Sequence, residues 1–332
     1  MSERSVILGF PEQINQIKLL GKVNCTDNAL RLAWSSSGFT MCADVSGDIS
    51  VEFEFERDSN NNYTDDYAKI AVFVDQQNEP DNILRVKFGG RNRYTLVQGV
   101  SPGIHTVTVI KINEKVRGTV KVYSVGFNGC IKQPPTPSDL AIEFLGDSLT
   151  AGSDLFVHGE SDTDFSEAQD SSKSFASVAA RILKADTSIV ARSGLRTSDW
   201  KWLLNIGHYI NERVPDITVI GLGTNDQSQI EKELRTPDEQ IQLVRTILQN
   251  VRSKYPDTKI VWVYGLMLTA LEDTYDHLIS KTVEEFAQTD CNTYYCRLPR
   301  NNGGNGSHSS PEGHSIAGKV LSDFINKTII AR

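Results

Sequence analysis

Apolar and polar residues alternate along much of residues 1–132. In residues 51–56, one valine and two phenylalanines alternate with three glutamates, and this period of two is typical of a half-buried strand. Comparable runs lie at residues 68–75, 83–88, 105–111 and 119–127. Turn-forming residues separate the runs at 60–62, 79–81, 89–90 and 101–103. Short strands at this spacing predict a β-sandwich or jelly roll.

A proline-rich segment ends this pattern. Three of the eleven prolines fall within the six residues 133–138. Proline fixes φ and has no N–H to donate, so the segment is expected to be extended and to lie outside any core. We therefore predict a β-sandwich domain at residues 1–132, a linker at 133–139 and a second domain at 140–332.

After the linker, short apolar runs alternate with segments of helical period. The predicted strands are 141–145, 188–191, 217–222, 260–264 and 294–298. Residues 175–182 have helical spacing, residues 236–239 form a capping box with proline at the first helical position, and Ser310-Pro311 opens a last helix. In that helix Ile316, Val320, Leu321 and Phe324 are predicted to face inward. The alternation predicts an α/β domain whose parallel sheet is flanked by helices on both faces.

Composition narrows the class of protein. Charged residues make up 23% of the chain and the net charge is −8 without a basic stripe, which argues against a nucleic-acid or anionic-membrane partner. The longest mainly apolar run, 260–271, is far shorter than the ~20 residues of a membrane-spanning helix. The apolar stretch 6–10 ends at Pro11, so no signal-peptide core is visible. A cytoplasmic location is expected, or a secreted one if a leader was removed; homo-oligomerisation stays open.

Candidate chemistry lies directly after the predicted strands, where ligands collect in parallel sheets. Gly146-Asp147-Ser148-Leu149-Thr150 follows the first strand and Arg192-Ser193-Gly194 the second. Gly223-Thr224-Asn225-Asp226 follows the third, and His308 precedes the last helix. A serine, a glycine, an asparagine and a histidine are thus expected at one edge of the sheet.

These residue types suit the cleavage of an ester. Ser148 is the candidate nucleophile and His308 the base that takes its proton. The tetrahedral intermediate carries an oxyanion that needs fixed donors. The N–H groups of Ser148 and Gly194 and the amide of Asn225 are the candidates; at Gly194 a side chain is expected to obstruct close approach of the N–H.

These residues resemble the SGNH, or GDSL, hydrolase superfamily over residues 140–330. Before the linker, residues 34–39 (Trp-Ser-Ser-Ser-Gly-Phe), 103–105 and 111–114, followed by Gly118, resemble the N-terminal jelly roll of carbohydrate esterase family 2. The resemblance implies an acetyl xylan esterase with a serine nucleophile. It also implies an acetylated oligo- or polysaccharide as substrate, and neither a cofactor nor a metal.

One segment departs from the superfamily pattern Asp-x-x-His-Pro. Asn305 stands where the aspartate would be and Ser309 where the proline would be. An asparagine cannot stabilise an imidazolium as a carboxylate does. The candidates for orienting His308 are therefore Asn305, a main-chain carbonyl of the kind that some members use, or a carboxylate from elsewhere. His314 is the competing histidine, although it is expected inside the last helix.

Other interpretations stay open from the sequence. Ser148 alone is compatible with a helix N-cap, the commonest role of a serine at such a turn. No Glu or Cys accompanies His308 and His314 at ligand spacing, and the five cysteines form no CxxC pair, so no metal site is predicted. A lipid or thioester hydrolase on the same scaffold and a carbohydrate-binding protein without activity are the alternatives to a carbohydrate esterase.

Overall fold

The computed structural model describes residues 5–58, 67–75, 78–156, 166–267 and 272–331. The chain forms two compact units, one of Met1–Pro137 with Tyr209–Glu212 and one of Ser138–His208 with Arg213–Arg332. The division falls in the proline-rich segment, which contains neither helix nor strand. The predicted turn at 60–62 lies outside the described residues.

In the described part of the first unit, nine strands form one antiparallel sheet. They are β1 (Ser5–Gly9), β2 (Lys18–Leu20), β3 (Val23–Thr26), β4 (Ala29–Leu32), β5 (Gly38–Glu56), β6 (Tyr67–Val74), β7 (Asn82–Lys87), β8 (Asn92–Lys111) and β9 (Thr119–Ile131). The order is β3-β4-β9-β5-β8-β6-β7, with β1 on β9 and β2 on β5. The long strands β5, β8 and β9 lie side by side, and register shifts let β5 curl with the sheet.

The alternation of apolar residues and glutamates in β5 produces the predicted half-buried strand. Val51, Phe53 and Phe55 are buried, whereas the three glutamates that alternate with them are half-buried on the other face. Those glutamates pair with cations on the same face of the sheet, as Glu54 does with Lys121 of the adjacent β9. The inner face joins one apolar cluster with residues of β4, β6, β8 and β9. The strand predicted at 51–56 is confirmed.

The turn predicted at residues 101–103 is wrong, because these residues lie inside β8. The pairing with β5 shifts here, since Val45 is opposite Gly103 but Gly47 is opposite Val100. A bulge accommodates Pro102, which cannot donate to the ladder, and the positive φ values of Gly99 and Gly103. Proline and glycine therefore mark an irregularity within a strand here, not its end.

The segment Tyr209–Glu212 belongs to the first unit although the sequence places it far beyond the linker. The main-chain N–H of Ile210 donates to the carbonyl of Val23, and the side chain of Asn211 bonds to the backbone of Val23 and Gly21. The indole N–H of the buried Trp34 donates to the hydroxyl of Tyr209 over 2.7 Å. These polar contacts carry no apolar periodicity, so the pattern of the chain does not reveal them.

The described part of the second unit contains a parallel five-stranded sheet in the order β11-β10-β12-β13-β14. Its strands are β10 (Ala141–Gly146), β11 (Asp186–Ala191), β12 (Ile217–Gly221), β13 (Lys259–Tyr264) and β14 (Thr293–Arg297). The α-helices are α1 (Ser148–Ala151), α2 (Phe175–Leu183), α3 (Trp200–Leu204), α4 (Thr224–Glu231), α5 (Pro237–Lys254), α6 (Glu272–Ala287) and α7 (Pro311–Ile325). All five predicted strands and the predicted helices are present.

Helices cover both faces of this sheet. Phe144, Val219 and Val263 pack on one face in a cluster that includes residues of α2 and α7. Their neighbours in sequence, such as Ile220 and Trp262, point to the opposite face and are equally buried. Strands buried on both faces read as continuous apolar runs, which explains why the pattern predicted them.

Two residues of α7 do not face inward as predicted. Ile316 and Val320 are 49% and 36% exposed. The helix instead buries Gly313, His314, Ala317, Gly318, Leu321, Ser322 and Ile325. A Cβ on Gly318 would lie 2.6 Å from Val178 of α2, so small residues form the contact face because the two helices approach closely. Within the described residues, no helix is both long and apolar enough to cross a membrane.

Candidate active site

Three neighbouring strands deliver the predicted site residues to one edge of the sheet. The last residue of β10, Gly146, pairs with Ala191 of β11 and with Gly221 of β12. The loops that follow these strands carry Ser148, Gly194 and Asn225. Because β10 lies between β11 and β12, the three loops are adjacent.

The turn after β10 presents Ser148. Asp147 caps the short helix α1, since its side chain accepts from the N–H of Leu149 over 3.1 Å. Ser148 is the first helical residue, so its own N–H has no acceptor within the helix. The N-cap role considered for Ser148 therefore falls to Asp147. A Cβ on Gly146 would lie 2.1 Å from Oγ1 of Thr150, so glycine lets the turn close.

The structure brings His308 to Ser148. Nε2 of His308 lies 2.9 Å from Oγ of Ser148. Nδ1 lies 3.1 Å from the main-chain oxygen of Asn305. That oxygen only accepts, so Nδ1 carries the proton and Nε2 is left to accept from the serine hydroxyl. This is the arrangement of a base and a nucleophile.

A hydrogen-bonded loop holds His308 in place. The hydroxyl of Ser309 donates to the main-chain oxygen of Asn301 over 2.8 Å, and Oδ1 of Asn301 accepts from the N–H of Ser310 over 2.8 Å. Ser309 is buried and Ser310 caps α7. Ser309, at the position of the proline, thus fixes the loop through a side-chain hydrogen bond. Asn301 gave no signal in the sequence.

The two other predicted donors lie together. Nδ2 of Asn225 donates to the main-chain oxygen of Leu195 over 3.0 Å and approaches Oδ2 of Asp147 at 3.4 Å. The 3.4 Å contact is long for a hydrogen bond. Gly194 has φ +79°, and a Cβ there would meet no atom within 4 Å. The left-handed backbone favours glycine at this position. The expectation that a side chain here would obstruct approach to the N–H stays a prediction.

A buried polar network ties these two loops to each other. The carboxylate of Asp226, next to Asn225, accepts from the N–H of Thr197 over 2.9 Å and from its hydroxyl over 2.7 Å. Arg235 forms an ion pair with Asp226 and donates to Oε1 of Gln240 over 2.7 Å. Thr197 follows Gly194 closely in sequence, so the network fixes the loops of both donors. Arg235 and Gln240 lie beyond the motifs and were not predicted.

Asp147 is buried beside this network. Burial raises the pKa of its carboxyl to about 7; the hydrogen bond from Leu149 opposes the rise and the negative charge of Asp226 adds to it. Burial also raises the pKa of Asp226, although the hydrogen bonds from Thr197 and the charge of Arg235 oppose the shift. Both aspartates serve the loops as hydrogen-bond acceptors.

His314, the competing histidine, lies inside α7 and does not face the serine. It is fully buried, its ring stacks on Phe175, and its Nδ1 accepts from the N–H of Phe175 over 3.1 Å. Burial lowers the pKa of His314 to about 3, and His308 adds a smaller electrostatic contribution in the same direction. His314 is therefore neutral and supports the packing of α2 on α7.

Asp154, which sequence reasoning missed, lies near the imidazole of His308. Its Oδ2 is 3.9 Å from Nε2, and its Oδ1 accepts from Nδ2 of Asn305 over 3.2 Å. Asp154 lies in the segment that follows α1, but nothing in the sequence distinguishes it from an ordinary surface aspartate. The side chain of Asn305 therefore contacts Asp154, and only its main-chain oxygen contacts His308.

A second histidine–carboxylate pair lies in the first unit. Nδ1 of His105 is 2.8 Å from Oδ2 of Asp75 and Nε2 is 2.9 Å from the main-chain oxygen of Ser101. The hydrogen bond to Asp75 raises the pKa of His105. Because both ring nitrogens face acceptors, this histidine offers no free lone pair for a base. Within the described residues, no group of three or more His, Cys, Asp or Glu could hold a metal ion.

Comparison with known proteins shows which family the second unit resembles. Residues 144–302 match the model of the GDSL-like Lipase/Acylhydrolase family. This match confirms the resemblance to the GDSL hydrolases. The GDSL-like segment contains Ser148, Gly194 and Asn225, and it ends just before the loop of His308.

One curated relative extends the match beyond the GDSL-like segment. The cellulase/esterase CelE of Acetivibrio thermocellus is 27% identical in an alignment 259 positions long that covers 70% of this chain. The chain spans only 31% of the length of that relative.

Two solved structures share the fold over nearly the whole chain. A family two carbohydrate esterase from Clostridium thermocellum, in complex with cellohexaose, has a TM-score of 0.81 at 23% identity and covers 94% of this chain and 98% of its own. An acetyl xylan esterase (Est2A) from the rumen bacterium Butyrivibrio proteoclasticus has a TM-score of 0.81 at 14% identity and covers 99% of both chains. At these identities the likeness establishes the fold. The predicted class, a jelly roll followed by an SGNH-type α/β domain, is confirmed.

Proposed function

We propose that the protein is a serine carboxylic ester hydrolase that removes O-acetyl groups from carbohydrates. The observation that carries the proposal is the 2.9 Å contact between Oγ of Ser148 and Nε2 of His308. A hydroxyl becomes a competent nucleophile when a positioned base accepts its proton. The N–H of Nδ1, held by the carbonyl of Asn305, keeps the imidazole in the tautomer that can accept.

In the proposed reaction His308 takes the hydroxyl proton as Oγ of Ser148 attacks the acetyl carbonyl carbon. The bond between that carbon and the sugar oxygen then breaks, and the imidazolium gives its proton to the sugar oxygen. A water molecule, activated by the same imidazole, attacks the acetyl-serine. Acetate leaves and the serine hydroxyl is restored.

The oxyanion that forms in each half-reaction is stabilised in this proposal by three donors. These are the N–H groups of Ser148 and Gly194 and the side-chain amide of Asn225. The N–H of Ser148 is at the start of α1, where helix geometry leaves it without an intrahelical acceptor. Nδ2 of Asn225 exchanges its long contact with Asp147 for a hydrogen bond to the oxyanion. Its hydrogen bond to the main-chain oxygen of Leu195 keeps the amide oriented.

The relatives support a carbohydrate ester as the substrate. CelE is named a cellulase/esterase, Est2A is named an acetyl xylan esterase, and the esterase from Clostridium thermocellum was solved with cellohexaose. An acetylated oligo- or polysaccharide, such as a fragment of xylan, is therefore the proposed substrate. The name of the matched family, which includes lipases, keeps a lipid or thioester hydrolase as the second candidate.

Acetate release separates these functions. The protein and its Ser148→Ala variant are incubated with acetylated xylan fragments, acetylated mannan fragments and the acetyl and octanoyl esters of 4-nitrophenol. The proposal expects acetate from a carbohydrate at a rate at least ~10³-fold above that of the variant. Preference for the octanoyl ester, without acetate from any sugar, would favour a lipid hydrolase. Sugar binding without turnover of any ester would contradict catalysis altogether.

A further inference from the structure

The carboxylate of Asp154, in the segment after α1, lies near His308 on the side of the imidazole away from the Asn305 carbonyl. Oδ2 of Asp154 lies 3.9 Å from Nε2, the nitrogen that faces Ser148. The distance is too long for a hydrogen bond but well within the range of an electrostatic interaction with a charged imidazole. The side chain of Asp154 is only 20% exposed, which limits screening by solvent.

The same aspartate holds the residue that orients His308. Oδ1 of Asp154 accepts from Nδ2 of Asn305 over 3.2 Å, and the main-chain oxygen of Asp154 accepts from the N–H of Asn305 over 2.9 Å. Both bonds hold Asn305, the residue whose main-chain oxygen contacts Nδ1. One residue therefore reaches the imidazole both through Asn305 and directly.

The backbone is shaped for this contact. Asp154 has φ +54°, a left-handed conformation that aspartate tolerates better than most residues. A Cβ on Gly304 would lie 2.6 Å from the main-chain oxygen of Asp154, so glycine allows the histidine loop to approach this segment. The left-handed backbone of Asp154 and the glycine at position 304 thus both serve the contact between these two segments.

We propose that Asp154 is a positioning residue for His308 and supplies the negative charge that the pattern Asp-x-x-His-Pro would supply from position 305. It holds the carbonyl of Asn305 against Nδ1 and stabilises the imidazolium from the Nε2 side. This inference rests on the proposed serine esterase function. In the resting state Nε2 accepts from Ser148 and is uncharged, whereas in the transition state it carries the serine proton. The carboxylate therefore favours the transition state over the resting state.

The charges that act on His308 can be separated by mutation. Among the residues that the structure describes, Asp154 and His314 interact electrostatically with His308, and His314 is buried and neutral. Asp154→Asn removes the charge, while its amide oxygen can still accept from Nδ2 of Asn305. Asp154→Ala removes the charge and this acceptor. Asp323→Asn is the matched control, because this exposed carboxylate pairs with Lys319 on α7 and has no part in the site.

The test measures kcat and KM for 4-nitrophenyl acetate, the rate at which a fluorophosphonate labels Ser148, and Tm. We expect Asp154→Asn to lower kcat and the labelling rate about tenfold, with KM within about twofold of wild type and an unchanged Tm. Asp154→Ala should lose more, and Asp323→Asn should match wild type. A purely structural role would lower Tm together with kcat, and the conservative Asp154→Asn variant would then restore kcat.

Three results would overturn the inference. The first is a wild-type kcat and labelling rate in Asp154→Asn while wild type is active and labelled; the proposed function then stands and the role of Asp154 falls. The second is a loss of kcat in both Asp154 variants that accompanies a lowered Tm, which contradicts the electrostatic role. The third is a wild-type protein that neither hydrolyses esters nor is labelled at Ser148, which removes both the role of Asp154 and the proposed function.

Discussion

The main-chain oxygen of Asn305 lies 3.1 Å from Nδ1 of His308. A peptide carbonyl thus occupies the position at which a carboxylate orients the histidine in the pattern Asp-x-x-His-Pro. The substitution by asparagine does not leave Nδ1 without a partner, because the partner is an atom that every residue type possesses. The side chain of Asn305 does not contact the imidazole and donates a hydrogen bond to Asp154 instead.

Restoring the aspartate by Asn305→Asp is therefore expected to harm the enzyme. The new carboxylate would face Asp154 and not the imidazole, so a hydrogen bond is replaced by repulsion between like charges. We expect kcat/KM for 4-nitrophenyl acetate to fall about tenfold, which corresponds to a loss of about 1.4 kcal/mol of transition-state stabilisation.

Asn305→Ala is the control, because it keeps the main-chain oxygen and adds no charge. It should be less impaired than Asn305→Asp. An increase in activity in Asn305→Asp would show that the side chain reaches Nδ1 and that the described geometry is wrong.

Asn225→Ala tests the oxyanion donors. Removing one such donor costs about 10²-fold or more in kcat in other hydrolases. We expect a loss of that size with little change in KM, because the amide acts on charge that develops in the transition state. Steady-state kinetics with an aryl acetate measure both constants. A loss below twofold would exclude Asn225 from the site.

Gly194→Ala tests the backbone of the second donor loop. The added methyl group meets open space, but φ +79° costs an alanine about 1–2 kcal/mol. We expect Tm to fall by several degrees, roughly 2–4 °C per kcal/mol for a unit of this size. Gly194→Asn should lose less, since asparagine tolerates left-handed backbone. Equal Tm values for all three proteins would refute this explanation of the glycine.

His314 makes stability depend on pH. Burial lowers the pKa of His314 to about 3, whereas an unfolded chain protonates it near 6.5. Its contribution is therefore present above pH ~6.5 and is lost as the pH falls toward 3. Between pH 7 and pH 5 we expect the free energy of unfolding to drop by about 2 kcal/mol more in wild type than in His314→Asn.

Urea titrations at the two pH values measure this difference. His314→Asn is the suitable variant because Oδ1 of asparagine can replace Nδ1 as acceptor for the N–H of Phe175. If both proteins lost the same free energy over this interval, His314 would not be the group responsible.

The features that the sequence predicted correctly depend on local patterns. Apolar runs mark β10, β12 and β13 because these strands are buried on both faces. The rule that ligands meet beyond strand ends brings Ser148 and Asn225 together. Features that depend on contacts between distant segments were missed. Asp154 acts through a loop more than a hundred residues away. Ile316 and Val320 were assigned to the core because hydrophobicity cannot show that small residues form the close contact of α7 with α2.

The central claim is that Ser148 becomes an acyl carrier with His308 as its base. Its most direct test is the reaction of the protein with a fluorophosphonate, followed by digestion and mass spectrometry. The account predicts a single adduct on Ser148 that is formed much more slowly in His308→Ala. An unmodified Ser148 in a protein that still hydrolyses aryl acetates, with the adduct on another residue, would contradict the account.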